Sequence, residues 1–457
     1  MTQDDLQQLI DQAFEEGWIE LNLSEQNLSE LPSEISKLNQ LEVLILGYAD
    51  DYFSGIGNQI KKLPLEISRL NYLKELYLIG NQLSVMPPEI IQLTQLQRLE
   101  LSANKLNVLP LEIGQLTQLE ELDISSNSLG ELPPEIGRLV RLKKLTLGHN
   151  QLNTLPSEIT QLTQLQELDI SGSQLSQFPS ALLKLPNLRK LSLKAKELTA
   201  LPPELFQLTQ LEELDISNNP LKELPPEIEQ LIQLKKLRLN RTQLSVLPPE
   251  IGQLVKLQKL HLGHNQLSTL PPEIAQLIQL QELDISGSQL IQFPSALLKL
   301  PNLRKLSLRA KGLTALPPEL FQLTQLEELD ISNNPLKELP PEIGQLIQLK
   351  KLRLNRIQLS VLPPEIGQLV KLQKLTLGYN QLSTLPSEIA QLIQLQELDI
   401  GHNRLSTLPK SITQLKKLEA LNYKKNPLSI PSEILGQHAI WQDSRKVQEF
   451  LQLLLMQ

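Results

Sequence analysis

The chain has 457 residues, 40% of them apolar and 3% aromatic, with 43 basic against 51 acidic side chains and a net charge of −8. That balance argues against a nucleic-acid or anionic-membrane partner. With no cysteine, disulfides, thiolate chemistry and cysteine–zinc sites are excluded.

The first predicted element is a helix over residues 4–15. Leu6, Leu9, Ile10, Ala13 and Phe14 share one face, and Thr2 or Asp4 can start it. The stretch before Trp18 is polar and acidic, with no basic n-region or apolar h-region. No apolar run approaches the roughly 18 residues that a membrane span needs. The expected setting is therefore cytoplasmic.

From Trp18 onward one unit recurs with a step of 23 residues. Leu96, Leu99, Leu101, Asn104, Leu106, Leu109, Pro110, Ile113 and Leu116 spell it once, and it restarts at Leu119, Leu142, Leu165 and so on to Leu418. Counting Trp18 as a degenerate start, there are 18 units. A fixed period of this size predicts a solenoid whose stability accumulates along the stack. Each x-L-x-L-x alternates with period 2, which is a short strand with one face inward. The asparagine then turns the chain, its side-chain amide bonding backbone groups that the turn leaves unpaired. The proline cannot donate a ladder hydrogen bond, so the return segment is extended or a short helical turn. Stacked units give one long parallel sheet on the concave face of a curved α/β solenoid. At about 4.8 Å per strand the sheet would be roughly 85 Å long.

Between Leu41 and Leu73 the step is 32 residues, nine longer than usual. The extra segment, near 48–56, contains Tyr48, Tyr52 and Phe53. Insertions in solenoids project on one face. This one either folds down on neighbouring rungs or offers its aromatics as binding anchors.

Further along, residues 165–279 recur as 280–394, a step of 115, with 8 differences: 176/291, 194/309, 197/312, 229/344, 242/357, 261/376, 264/379 and 272/387. The asparagine is replaced by Ser173, Lys196, Thr242, Ser288, Lys311 and Ile357. These read as weak points in the turn ladder, and Ile357→Asn is expected to stabilise the protein by about 1 kcal/mol.

Outward strand positions mostly alternate between acidic and basic rungs, a ladder that satisfies itself. Acid pairs such as Glu121 and Asp123 belong to it and are not expected to have much-raised pKa values. The alternation fails where basic rungs adjoin. Lys235, Lys236, Arg238, Arg241, Lys259, His261 and His264 form one cluster. Lys350, Lys351, Arg353, Arg356, Lys374 and Tyr379 form its duplicate, five rungs away. Arg, His and Tyr are the types that anchor interfaces. The partner-binding candidates are therefore Arg238, Arg241, His261, His264, Arg353, Arg356 and Tyr379, with Tyr48, Tyr52 and Phe53 in the insertion.

The last unit is one residue short at Leu428–Pro431. Ser444–Met456 then reads as a helix with Asp443 as N-cap and a Val447, Phe450, Leu451, Leu454 stripe. It is either a cap or a docking helix. The organisation is thus a helical cap (1–17), repeats (18–431) and a second helical cap (432–457). No phosphate loop, dinucleotide fingerprint, nucleophile elbow or zincin motif occurs, so no catalytic residue, cofactor or metal site is expected and the chain is read as no enzyme.

The unit from Leu247 to Leu267 resembles the 23-residue L-P-x-x-I class of leucine-rich repeat found in plant intracellular Ras-group proteins, Ras-binding scaffolds and bacterial relatives. That resemblance implies the leucine-rich repeat horseshoe and a protein partner. The start, "MTQDDLQQLIDQAFEEGWIELNLSEQNLSELPSEI", and the end, "NPLSIPSEILGQHAIWQDSRKVQEFLQLL", resemble the entry and exit of repeat domains in bacterial Roco-type proteins, where a GTPase module follows. The chain stops at Gln457, so that module is expected to be absent from this polypeptide. Two functions follow. One is a non-enzymatic scaffold binding a folded protein through the concave face or the 48–56 loop. The other is a regulatory repeat domain of a Roco-type or Ras-like GTPase system, with a small GTPase or signalling protein as partner.

Overall fold

The computed structural model describes residues 1–49, 55–195, 197–429, 440–441 and 444–455. The chain divides into two compact units, Met1–Pro220 and Leu221–Gln457. Both are built from the same rung. In each rung a three-residue strand crosses the sheet, the chain turns at the asparagine position, and a five-residue 3-10 helix follows the proline.

In the first unit the helix α1 (Gln3–Glu15) is opened by a capping box, Thr2 with Asp5. The two residues satisfy each other's orphan donors, which is why the helix starts at Thr2. Leu6, Ile10 and Ala13 are buried, whereas Phe14, expected on the same face, is 52% exposed. Nine parallel strands follow, from Glu20–Asn22 to Glu213–Asp215. Identical positions pair on every described neighbour, for example Leu122 with Leu145 and Leu145 with Leu168. The step of the sequence is thus the register of the sheet.

The insertion forms an antiparallel pair, Gly47–Ala49 with Gly55–Gly57. Its base sits on the next rung: a Cβ at Gly57 would lie 2.2 Å from the Ile79 carbonyl oxygen. The Tyr48 hydroxyl donates to the Glu25 carboxylate. Tyr52 and Phe53 lie outside the described residues.

In the second unit nine parallel strands run from Lys236–Arg238 to Ala420–Asn422, and Ile440–Trp441 adds an antiparallel edge. The helix α2 (Ser444–Leu455) closes the stack. Its Val447, Phe450 and Leu451 are buried, and Phe450 stacks on Tyr423 of the last rung at 5.1 Å. The Gln448 amide donates to the Leu415 and Leu418 carbonyls. Asp443 and the Leu454 side chain lie outside the description.

In the core, strand leucines and the isoleucine of each 3-10 turn have almost no exposure. Residues such as Pro110 sit at the N-cap of the turn with φ −68 and ψ 150, the conformation the ring imposes. Each ladder asparagine reaches beyond its own turn. Asn380 Nδ2 donates to Leu354 O of the preceding rung and to Leu377 O, while its Oδ1 accepts from Leu359 N of the preceding unit. Where the asparagine is missing, the outcome differs by residue. The Thr242 hydroxyl donates to Leu239 O and to Asn265 Oδ1, and Ser288 donates to Ile285 O. Ser173 Oγ is buried without a partner. Ile357, read as a defect, is wholly buried, and its backbone N–H is taken up by Asn380 Oδ1. It is a packed core residue.

Candidate functional site

The outward strand positions make the sheet face. In the second unit adjacent rungs are joined by ion pairs between register partners, Lys259 to Glu282, Lys305 and Lys351 to Glu328, and Lys374 to Glu397, with His261 reaching Glu282 diagonally. Beside this row, Arg304 and Lys350 both reach Glu327. The first unit has the same pattern, with Arg98–Glu121 and Lys190–Glu167. Most partners are about half exposed, so each pair contributes roughly 0–1 kcal/mol and mainly keeps like charges apart. Burial alone would raise the Glu328 pKa, but the Lys305 and Lys351 ammonium groups hold it below the ordinary range. Glu282 is lowered against its burial by His261 and Lys259.

Two places break this order. Lys236 and Arg238 pair in register with Lys259 and His261. Lys351 and Arg353 pair with Lys374 and Thr376. Both lie in the unit Leu221–Gln457, which brings the two sequence-derived clusters onto one sheet. Arg353 lines a shallow depression with Glu282, Asp284, Lys305 and Glu328. Among the described residues no carboxylate forms an ion pair with Arg353. His261 and His264 do not converge. His261 Nε2 meets Glu282 at 3.0 Å on the strand, while His264 is an exposed turn residue with φ 60.

The remaining candidates belong to the turn edge. Arg241, His264, Arg356 and Tyr379 all have positive φ, between 56° and 60°. Arg356 Cζ lies 4.3 Å above the Tyr379 ring, and Tyr379 stacks on His402 with centroids 4.0 Å apart and planes 10° off parallel. His402 escaped the sequence reading. The signal was there: it stands 23 residues after Tyr379, at the same place in the unit. Tyr48 is far along the chain in the other unit and is 37% exposed.

The acid rungs are not uniformly open. Burial lifts Asp123 above its usual pKa despite hydrogen bonds from Ser125, and burial with the Asp123 charge lifts Glu100. Glu100 is only 8% exposed.

Among the described residues no helix is long and apolar enough to cross a membrane. The family model described as "Leucine-rich repeat region" matches residues 124–220 and 293–381, and "Leucine rich repeat" matches 71–129, 232–290 and 370–428. Comparison with curated proteins returned no match. Among solved structures, a leucine-rich repeat protein from Leptospira interrogans is 33% identical, with 97% of this chain and 96% of that one covered and a TM-score of 0.57. The TDR receptor is 25% identical, covered over 91% of this chain and 82% of its own, with a TM-score of 0.64. The plant peptide hormone receptor RGFR1, solved in complex with RGF2, is 27% identical over 89% and 78%, with a TM-score of 0.54. Repeat unit, sheet register and these likenesses agree: the chain belongs to the leucine-rich repeat family.

Proposed function

We propose that the chain is a non-catalytic scaffold that binds a folded protein on the sheet face of the unit Leu221–Gln457. The observation that carries this reading is the pair of adjoining basic rungs in an otherwise alternating charge ladder. Each pair, Lys236–Arg238 on Lys259–His261 and Lys351–Arg353 on Lys374–Thr376, sits in strict register. A free monomer gains nothing from like charges about 4.8 Å apart. A partner that brings carboxylates gains from both. The copies are five rungs apart, roughly 24 Å, so a partner engaging one would meet the second intramolecularly and gain avidity.

The general use of leucine-rich repeats as protein-binding surfaces supports the reading. RGFR1 is an example, solved with RGF2 bound. The Roco-like termini make a small GTPase or signalling protein of the cytosol the first partner to try, in the role of a regulatory repeat domain.

The test is recovery of partners from native cytosol by wild type and by Arg238→Glu with Arg353→Glu. The double variant should lose most of the recovered partner with its circular dichroism unchanged, and either single variant only part. Equal recovery by wild type and double variant would remove the basic rungs and move the docking surface to the 48–56 loop, with Tyr48, Tyr52 and Phe53.

A further inference from the structure

The two copies of the duplicated block are nearly identical in sequence but not along the edge where the strands turn. In the second copy a column of side chains stacks from rung to rung. The Asn333 amide lies 3.2 and 3.3 Å from Arg309 Nη2 and Nε, and turned with its oxygen toward the guanidinium it would accept from both. Arg356 Cζ lies over the Tyr379 ring, 4.3 Å from its centroid, and Tyr379 stacks on His402. In the first copy Lys194 replaces Arg309 and is neutralised by Asp215 at 3.0 Å. His264 stands in place of Tyr379, and one rung on Gly287, on the first rung of the second copy, holds the place that His402 holds just beyond that copy. The His264 ring lies so close over Gly287 that a Cβ there would be 2.8 Å from Nδ1. Two of the eight differences between copies, 194/309 and 264/379, thus exchange a lysine paired with Asp215 for an arginine with no ion pair among the described residues, and a histidine for a tyrosine, while Arg241 and Arg356 are the same residue.

We propose that the Arg309–His402 edge is a docking site for a short acidic segment of a partner protein, and that its counterpart in the first copy is not. This deepens the protein-binding reading above and rests on it for the class of partner. The chemistry is that of a held guanidinium. The Tyr379 ring fixes the plane of Arg356 without consuming its N–H donors, which leaves the fork free for bidentate capture of a carboxylate. Among the described residues no carboxylate forms an ion pair with Arg309, Arg353 or Arg356, whereas Lys351 and Lys374 have theirs. The nearest strand-end acids are already engaged. Asp330 accepts from Ser332 N at 3.0 Å, and Asp399 from Gly401 N at 2.9 Å and Asn422 Nδ2 at 2.8 Å. A long polyanion fits worse than a short segment. The acid rungs Glu328–Asp330 and Glu397–Asp399 flank the column, and the chain carries a net charge of −8.

The test uses the full chain and a fluorescein-labelled hexaglutamate peptide, read by fluorescence anisotropy at about 50 mM salt. Tyr379→His with His402→Gly places beside Arg356 the His–Gly pair found at His264 and Gly287, a combination the fold already accommodates. It should weaken binding about fivefold, and Arg356→Gln about tenfold. His264→Ala, in the first copy, should leave binding unchanged. Binding by the swapped variant within about twofold of wild type would overturn the proposal. If Arg238→Glu with Arg353→Glu abolishes peptide binding while the swap does not, the sheet-face reading survives and the edge falls. If neither changes it, both fall. A single-stranded hexanucleotide that binds as tightly as the peptide would also overturn the acidic-segment assignment.

Discussion

The ladder asparagines should carry a measurable share of the fold's stability, and Asn380 is the sharpest case. The preceding unit has Ile357 in the ladder position, so Asn380 serves two backbone donors there, Ile357 N at 3.0 Å and Leu359 N at 3.1 Å. Its amide also donates to Leu354 O at 2.7 Å and Leu377 O at 2.8 Å. The side chain is 7% exposed. Asn380→Ala removes four well-formed hydrogen bonds at about 1 kcal/mol net each, so the cost should be about 4 kcal/mol. Asn426, in the last rung, is half-buried and makes three such bonds, to Leu405 N, Ile400 O and Tyr423 O. Asn426→Ala should therefore cost about 2 kcal/mol, because water can reach the groups it leaves. Urea unfolding followed by far-ultraviolet circular dichroism gives the two costs. Amide hydrogen exchange locates the damage, since stacked repeats open locally. The Leu359 amide should lose protection in Asn380→Ala. Equal costs for the two variants, or a Leu359 amide still protected, would refute the ladder account.

Three further outcomes are expected. Burial and the Asp123 charge raise the Glu100 pKa, so the folded chain holds that proton more tightly than the unfolded one and stability falls as pH rises through this range. Glu100→Gln should thus be more stable than wild type at pH 7, with the gap closing in acid; a thermal-melt series in which the gap is absent at neutral pH would contradict this. Gly57→Ala places a Cβ 2.2 Å from Ile79 O and 2.5 Å from the Gly80 backbone, contacts no rotamer relieves, and should cost about 1–3 kcal/mol in urea titration. Removing residues 48–56 restores the 23-residue step and should leave the first unit folded, with a penalty near 1 kcal/mol. Loss of α1 protection in hydrogen exchange would show instead that the insertion holds those rungs together.

What was legible in the sequence is whatever repeats. A period of 23 places Leu99 beside Leu122 and Asn104 beside Asn127 without any structure, and the alternation of apolar residues says which face is buried. The C-terminal stripe of Val447, Phe450 and Leu451 was legible for the same reason, and all three are buried. What failed was whatever depends on how one turn lies over the next. Asp123 looks like an open rung, yet burial desolvates it while the Ser125 backbone N–H donates to it. Ile357 looks like a broken turn, yet the next unit's asparagine reaches back and satisfies its backbone. The insertion's length and aromatics are visible in the sequence but its antiparallel pairing is not, because the glycines that pair and seat it, Gly47 and Gly57, carry no periodic signal. His402 was missed because its neighbour in the column is 23 residues away, not three or four.

The duplication also bears on how the basic rungs should be interpreted. The copied block is five rungs, and its outward residues run acid, base, acid, base, base: Glu167–Asp169, Lys190–Ser192, Glu213–Asp215, Lys236–Arg238 and Lys259–His261. An odd number of rungs repeated in tandem cannot alternate in sign throughout. One like-charged neighbour pair per copy is unavoidable, or two acid rungs would meet at the junction. Parity therefore accounts for the existence of a like-charged pair, but not for its being basic or for arginine rather than lysine at Arg238 and Arg353. Nor does it account for the divergence. Of the eight differences, 261/376 and 264/379 fall on the second rung of that pair, exchanging two histidines for Thr376 and Tyr379. His261 is bound to Glu282, while Thr376 accepts from Asn355 Nδ2 and leaves Glu397 to Lys374 alone. The copies share an architecture that repetition imposes and differ where charge is released and an aromatic is added. Specificity should be sought in that difference, by exchanging residues between copies and not only by deleting charge from both.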